Sequence, residues 1–100
     1  MSKTITAHCL VKNEARFVWY SVMSVIDHVD KVLLYDTGST DGTLEIIKEI
    51  LKTKEAKGKV DFQEKGNVDE YGFTEMRNEM LRATNTDWFI MVDGDVHTRP

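Results

Sequence analysis

One hundred residues, 41% hydrophobic and 30% charged, make one compact unit with a single core and leave no room for a second domain. A formal net charge of −4 supplies no broad cationic surface to neutralise a phosphate backbone, so nucleic acid is not the expected partner. The longest apolar run, Trp88 to Val92, is five residues against the roughly 20 that a spanning helix needs.

The start, Met1-Ser2-Lys3-Thr4, moves straight into strand-like sequence without an apolar signal segment, and the chain reads as cytoplasmic. From Ile5 to Val11, the residues Ile5, Ala7, Cys9 and Val11 alternate with Thr6, His8 and Leu10, the pattern of a strand with one more deeply buried face. Cys9 is the single cysteine; it forms no internal disulfide and no thiolate cluster, and is expected as an inert strand residue. Lys12-Asn13-Glu14 then turns the chain into an amphipathic helix, marked by Val18, Val22, Val25 or Ile26, and Val29, and running to about His28. Val32-Leu33-Leu34-Tyr35 is the short continuous run of a parallel strand covered on both faces.

After Asp36-Thr37-Gly38-Ser39-Thr40-Asp41-Gly42, the residues Leu44, Ile47 and Leu51 predict a second helix with Glu45, Lys48, Glu49 and Lys52 outward. Ser39, Thr40 and Asp41 are candidate N-caps. Lys54 to Gly58 reads as a surface connection, followed by a short strand around Val60-Asp61-Phe62. Phe73, Met76, Met80 and Leu81 give a third helical stripe, and Trp88 to Val92 predicts a fourth, fully buried strand. The lysines between Lys48 and Lys65 read as a solvated face. His8 and His28 read as structural, and Met76, Met80 and Met91 as core fillers.

Strands alternating with helices predict an α/β, Rossmann-like, mostly parallel sheet with right-handed crossovers. Ligands in such sheets bind beyond the carboxyl ends of the strands. Three polar clusters fall there: Lys12-Asn13-Glu14, Asp36 to Asp41, and Asp93-Gly94-Asp95.

Asp93 and Asp95 follow five apolar residues, so a rigid strand presents two carboxylates that point the same way, with Gly94 leaving space between them. Paired hard oxygen donors suit Mg2+ or Mn2+, which take further ligands from a diphosphate. The competing reading is an acidic turn without metal. In the second cluster, Gly38 and Gly42 let the backbone turn tightly beside a nucleoside, while Asp36, Thr37, Ser39 and Asp41 offer hydrogen bonds. A capped strand-to-helix turn explains part of the same pattern.

Taken together, Val11-Lys12-Asn13-Glu14, Asp36 to Thr43, Phe73 through Arg77-Asn78, and Asp93-Gly94-Asp95 resemble family 2 glycosyltransferases with the A-type fold. The resemblance implies the nucleotide-sugar-binding half of such an enzyme, occupying residues 1–100 as a single domain and truncated before the acceptor-binding half. It implies that Val11, Lys12, Asn13, Glu14, Asp36, Thr37, Gly38, Arg77, Asp93 and Gly94 surround the nucleotide, with Asp95 as the principal metal ligand beside Asp93. It also implies a nucleotide-sugar donor, a UDP-sugar by default, and inverting transfer to a saccharide, lipid or protein acceptor. Lys12 and Thr37 depart from the tyrosine and second aspartate of many relatives, which leaves the base open. No carboxylate in the chain matches the general base that must reach an acceptor hydroxyl. That base is expected beyond Pro100, and donor binding is all that this chain alone is expected to perform.

Other readings compete. His97 beside Asp95 is a poor partner for a hard cation. Leu33 to Ser39 also matches the aspartic-protease signature, but three helical stripes do not suit an almost all-β protease. A non-catalytic nucleotide-binding module fits the same residues.

Overall fold

The computed structural model describes residues 3–66 and 70–93. The order of elements is strand β1 (Ile5–Val11), helix α1 (Val18–Val25) continuing into a 3-10 turn (Ile26–His28), strand β2 (Lys31–Asp36), helix α2 (Thr43–Leu51), strand β3 (Val60–Glu64), helix α3 (Glu70–Ala83) and strand β4 (Trp88–Asp93). Every strand pairing is parallel, and the spatial order is β3-β2-β1-β4. This is the α/β arrangement that the alternating pattern predicts.

The chain builds outward from β1 to β2 and β3, then α3 carries it back across to β4 on the other side of β1. The strand order therefore reverses beside β1, and the crevice of an open parallel sheet lies at such a reversal. Register fixes what meets there: Val11 lies opposite Asp36, Leu10 opposite Asp93, and Asp36 opposite Glu64.

Two cores sit on the two faces. Ala7, Cys9 and Val11 of β1, with Val32 and Leu34 of β2, pack on one face against Val18, Val22 and Ile26 and against Ile47 and Ile50 of α2. The opposite face carries Leu33, Tyr35 and Met80, with Leu10 against them. Each buried Val, Leu, Ile or Met among them contributes roughly 1.5–3 kcal/mol by leaving water. Val18, Val22 and Ile26 recur at helical spacing, yet the α-helix stops at Val25 and the last turn tightens to a 3-10 turn before Val29 becomes extended. In α2 the buried stripe is Thr43, Ile47 and Ile50, one residue round from the expected Leu44 and Leu51, which are half-buried. Ile47 is common to both. In α3, Met80 is buried as the stripe predicts, whereas Leu81 is exposed.

The sequence expectation of a fully buried β4 does not hold, nor does that of Met91 as a core filler. Trp88 is 59%, Phe89 44%, Ile90 40% and Met91 54% exposed. The cause is sheet order: β4 pairs only with β1 among the described residues and forms an edge. A continuous apolar run carries no information about which strand ends up outermost.

Lys59 and Lys65 also leave the expected solvated face. Lys59 donates to the Ile26 carbonyl at 2.8 Å. Lys65 pairs with Glu79 at 2.5 Å and sits 4.9 Å from the centre of the Tyr35 ring, tying β3 to α3. At the opposite end of the sheet, Asp87 accepts from the Thr4 amide and hydroxyl, both at 3.0 Å, while Asp30 accepts from the Ile5 amide at 2.8 Å. These bonds to Thr4, the backbone one first, lower the Asp87 pKa. No helix among the described residues is long and apolar enough to cross a membrane.

Candidate functional site

The carboxyl ends of β1 and β2 are joined by two loops that fold against each other. In the first, the Glu14 carbonyl accepts from the Phe17 and Val18 amides at 2.9 and 2.8 Å, which launches α1 without a side-chain cap. Asn13 holds φ at 53°, in the left-handed region that asparagine tolerates better than most residues. Lys12 is exposed and Glu14 half-buried.

The second loop is organised by its own carboxylates. Asp36 is 2% exposed; one oxygen accepts from the Gly38 and Ser39 amides at 3.1 and 3.0 Å, and the other from the Ser39 hydroxyl. Gly38 sits at φ 98°, where a Cβ is strained. Thr37 is fully buried, and both its amide and its hydroxyl donate to the Val11 carbonyl, at 2.9 and 3.1 Å. Asp41 accepts from the Thr43 amide at 2.9 Å and from the Thr43 hydroxyl. Of the three candidate caps, Asp41 is therefore the one that receives an amide of the first turn of α2, and these bonds to Thr43, the hydroxyl one first, pull its pKa down.

Gly42 has no comparable need for glycine. Its φ is −82°, and an added Cβ would meet nothing nearer than the Ala15 Cβ at 3.9 Å. The expectation that both glycines serve a tight turn holds for Gly38 alone.

The amides of Gly38, Ser39, Thr40, Asp41 and Thr43 are each received by a side-chain oxygen of the chain itself, supplied by Asp36, Asn13 or Asp41. This differs from a glycine-rich loop whose free amides cradle phosphate. The loop presents a finished, internally bonded surface, so a diphosphate must find its positive partner elsewhere on the same edge.

The third cluster begins at the end of β4, where the Asp93 backbone stands level with Leu10 and one position short of the Val11 and Asp36 pair. Gly94, Asp95, His97 and Pro100 lie outside the described residues. Among the described residues, no three His, Cys, Asp or Glu side chains are grouped to hold a metal ion. As residue types, Asp93 and Asp95 are hard carboxylate donors, a set that suits Mg2+ or Mn2+ completed by oxygens of a ligand.

Arg77 lies on α3, over the flank of β4 rather than in the two-loop frame. Its Nη1 is 3.9 Å from the Met91 sulfur, and it borders an apolar slot of about 140 Å3 lined also by His8, Leu81, Phe89 and Met91. His8 stacks on Phe89 with ring centres 4.8 Å apart. Its Nε2 is 2.6 Å from the Thr84 hydroxyl, which itself donates to the Met80 carbonyl at 2.7 Å. The hydroxyl proton is thus committed, and His8 donates from Nε2. Burial first, and the nearby Arg77 charge second, lower the His8 pKa, consistent with the structural role expected of it.

The structure therefore brings Val11, Lys12, Asn13, Glu14, Asp36, Thr37 and Gly38 into one frame, and sets Asp93 beside it by register. What residue types alone did not reveal is which polar groups face inward. Ser39, Asp41 and Thr43 receive the amides of the first loop, and the Asp-x-Thr spacing hinted only at the bond from Thr43 to Asp41 within the second loop.

Comparison with known proteins agrees with this geometry. The profile described as "Glycosyl transferase family 2" matches residues 9–100. Over 92 residues, 92% of this chain, the sequence is 30% identical to the SPbeta prophage-derived glycosyltransferase SunS of Bacillus subtilis (strain 168) and to glycosyltransferase SunS of Bacillus phage SPbeta. The chain spans about 20% of the length of each of these relatives. With the motifs in family order, on a parallel sheet that carries them to a single edge, the chain belongs to glycosyl transferase family 2.

Proposed function

We propose that this chain forms the donor site of a glycosyltransferase that moves a sugar from a nucleoside diphosphate, uridine diphosphate by default, to a saccharide, lipid or protein acceptor with inversion. The observation that carries the reading is the convergence of the two polar loops and the Asp93 backbone at the point where the strand order reverses. In this reading the nucleoside lies over the ends of β1 and β2, against Val11, Lys12 and Glu14 on one side and the turn of Asp36, Thr37 and Gly38 on the other. Asp93 and Gly94 adjoin the ribose, and Arg77 contributes a cation from α3. Asp95, with Asp93, holds Mg2+ or Mn2+, which when bound offsets negative charge on the departing diphosphate.

The internal bonding of the second loop supports this division of labour. The amides of Gly38, Ser39, Thr40, Asp41 and Thr43 are already satisfied, so the loop suits the neutral nucleoside, while the diphosphate is left to the acidic cluster and its cation. Titration calorimetry of the chain with UDP and other nucleoside diphosphates, with and without Mn2+ or Mg2+, tests the proposal. Metal-dependent binding that Asp95→Asn abolishes is the expected result. Equal binding by the substituted protein would sink the metal-site assignment.

A further inference from the structure

The two loops at the site are bonded in both directions. The amides of three consecutive residues, Asn13, Glu14 and Ala15, donate to the Ser39 hydroxyl at 2.9 Å, the Thr43 hydroxyl at 2.9 Å and an Asp41 carboxylate oxygen at 3.3 Å. In the other direction, the side-chain oxygen of Asn13 accepts from the Thr40 amide at 2.7 Å and the Asp41 amide at 3.3 Å, with the Thr40 hydroxyl at 3.4 Å. Asn13 and Asp41 each contribute both a backbone donor and a side-chain acceptor to the contact. The φ of 53° at Asn13 sits within the run of three amides that face the second loop.

The residue type follows from these demands. Glycine adopts the backbone angle but has no acceptor, whereas most residues that carry an acceptor resist the left-handed region. Asparagine meets both conditions and adds no charge beside Asp36 and Asp41. The oxygen of Asn13 that faces the second loop is fully engaged by it.

We infer that Asn13 serves the nucleotide site as a positioning residue: it fixes the Thr40 and Asp41 amides through its side-chain oxygen and so preassembles the second loop, without itself touching the nucleotide. The inference rests on the donor-site reading above. A loop that is already ordered need not lose that freedom on binding, so the latch shows in affinity although it makes no contact with ligand.

Two substitutions separate the latch from a direct contact. Asn13→Gly keeps the backbone angle and deletes the acceptor; Asn13→Asp keeps an acceptor in the same place. Amide hydrogen exchange on the free chain is expected to show protected Thr40 and Asp41 amides in the unsubstituted protein and in Asn13→Asp. In Asn13→Gly their exchange speeds at least about tenfold, while the Leu34 amide in β2 is unchanged. Calorimetry with UDP and Mn2+ is expected to give affinity about tenfold weaker for Asn13→Gly, and within about threefold of the unsubstituted chain for Asn13→Asp. Unchanged affinity in Asn13→Gly, with both amides released, overturns the positioning role. Equally weak binding by Asn13→Asp at both low and high salt, with both amides still protected, also overturns it, because a loss that salt does not relieve is not repulsion by the added charge, and the carboxamide then meets the nucleotide directly. Absence of UDP binding by the unsubstituted chain is a distinct result that overturns the donor-site reading, and the positioning role with it.

Discussion

Replacing Asp36 with alanine removes the acceptor of three donors in one step: the Gly38 amide, the Ser39 amide and the Ser39 hydroxyl. The hydroxyl can rotate toward another partner, but the two amides are fixed by the turn. A stranded amide costs about 1–3 kcal/mol. Because Gly38 and Ser39 are half-buried, water recovers part of that loss, and about 3 kcal/mol for the pair is the working figure. Asp36→Asn keeps one oxygen for both amides and loses mainly the charge assistance, a cost of about 1 kcal/mol. Small domains are stable by about 5–15 kcal/mol, so the alanine variant surrenders a large share and the asparagine variant a small one. Urea unfolding followed by circular dichroism reads both as shifts in midpoint at constant slope. Equal shifts for the two variants, or a loss below about 1 kcal/mol for alanine, would refute the view that Asp36 is the internal organiser of the loop.

Three further outcomes follow from the same structure. His8 has its pKa lowered from an ordinary value of 6.5, by burial first and Arg77 second, so the unfolded chain takes up the proton more readily; stability is full above that ordinary value and falls as pH drops below it. His8→Gln should flatten the decline in urea midpoint between about pH 7 and pH 5, and an unaltered slope would contradict the assignment. Cys9 is 1% exposed, and burial pushes its thiol up to about 12, so iodoacetamide should label it only as fast as the chain unfolds; rapid labelling of the native protein would count against the packing. Gly38→Ala should cost about 1–2 kcal/mol through the left-handed backbone, whereas Gly42→Ala should leave the melting temperature within a few degrees, and a reversal of that order would show the turn is built differently.

Much of this fold is legible in the residues because periodicity reports burial. The alternation from Ile5 to Val11, the run from Val32 to Tyr35 and the stripe of Val18, Val22 and Ile26 each have a pattern that one element satisfies and others do not. The strand ends are legible for a related reason, since polar clusters that interrupt apolar strands in an α/β order must collect on one edge. What fails to show is relational. Trp88 to Val92 has the composition of a central strand, and only the crossover after β3 makes it an edge. The bonds of Asp36 to Gly38 and Ser39, and of Thr37 to the Val11 carbonyl, leave no mark in the sequence, because a polar side chain reads the same whether its partner is a ligand or the chain itself. Asn13 meets Thr40 at a sequence separation of 27, a distance over which no local rule operates.

The exposed β4 edge has a consequence for the protein in solution. Edge strands in stable proteins are usually blunted by lysine, proline, a bulge or very short length. Trp88-Phe89-Ile90-Met91-Val92 has neither lysine nor proline, and it is apolar on both faces. A strand approaching this edge would meet a row of backbone donors and acceptors that no described strand uses, flanked by side chains suited to a dry contact. The net charge of −4 keeps molecules apart at long range but weakens as salt rises. Among the described residues, the strand that carries Asp93 to the site is thus also the one whose apolar edge is least guarded against pairing with another strand.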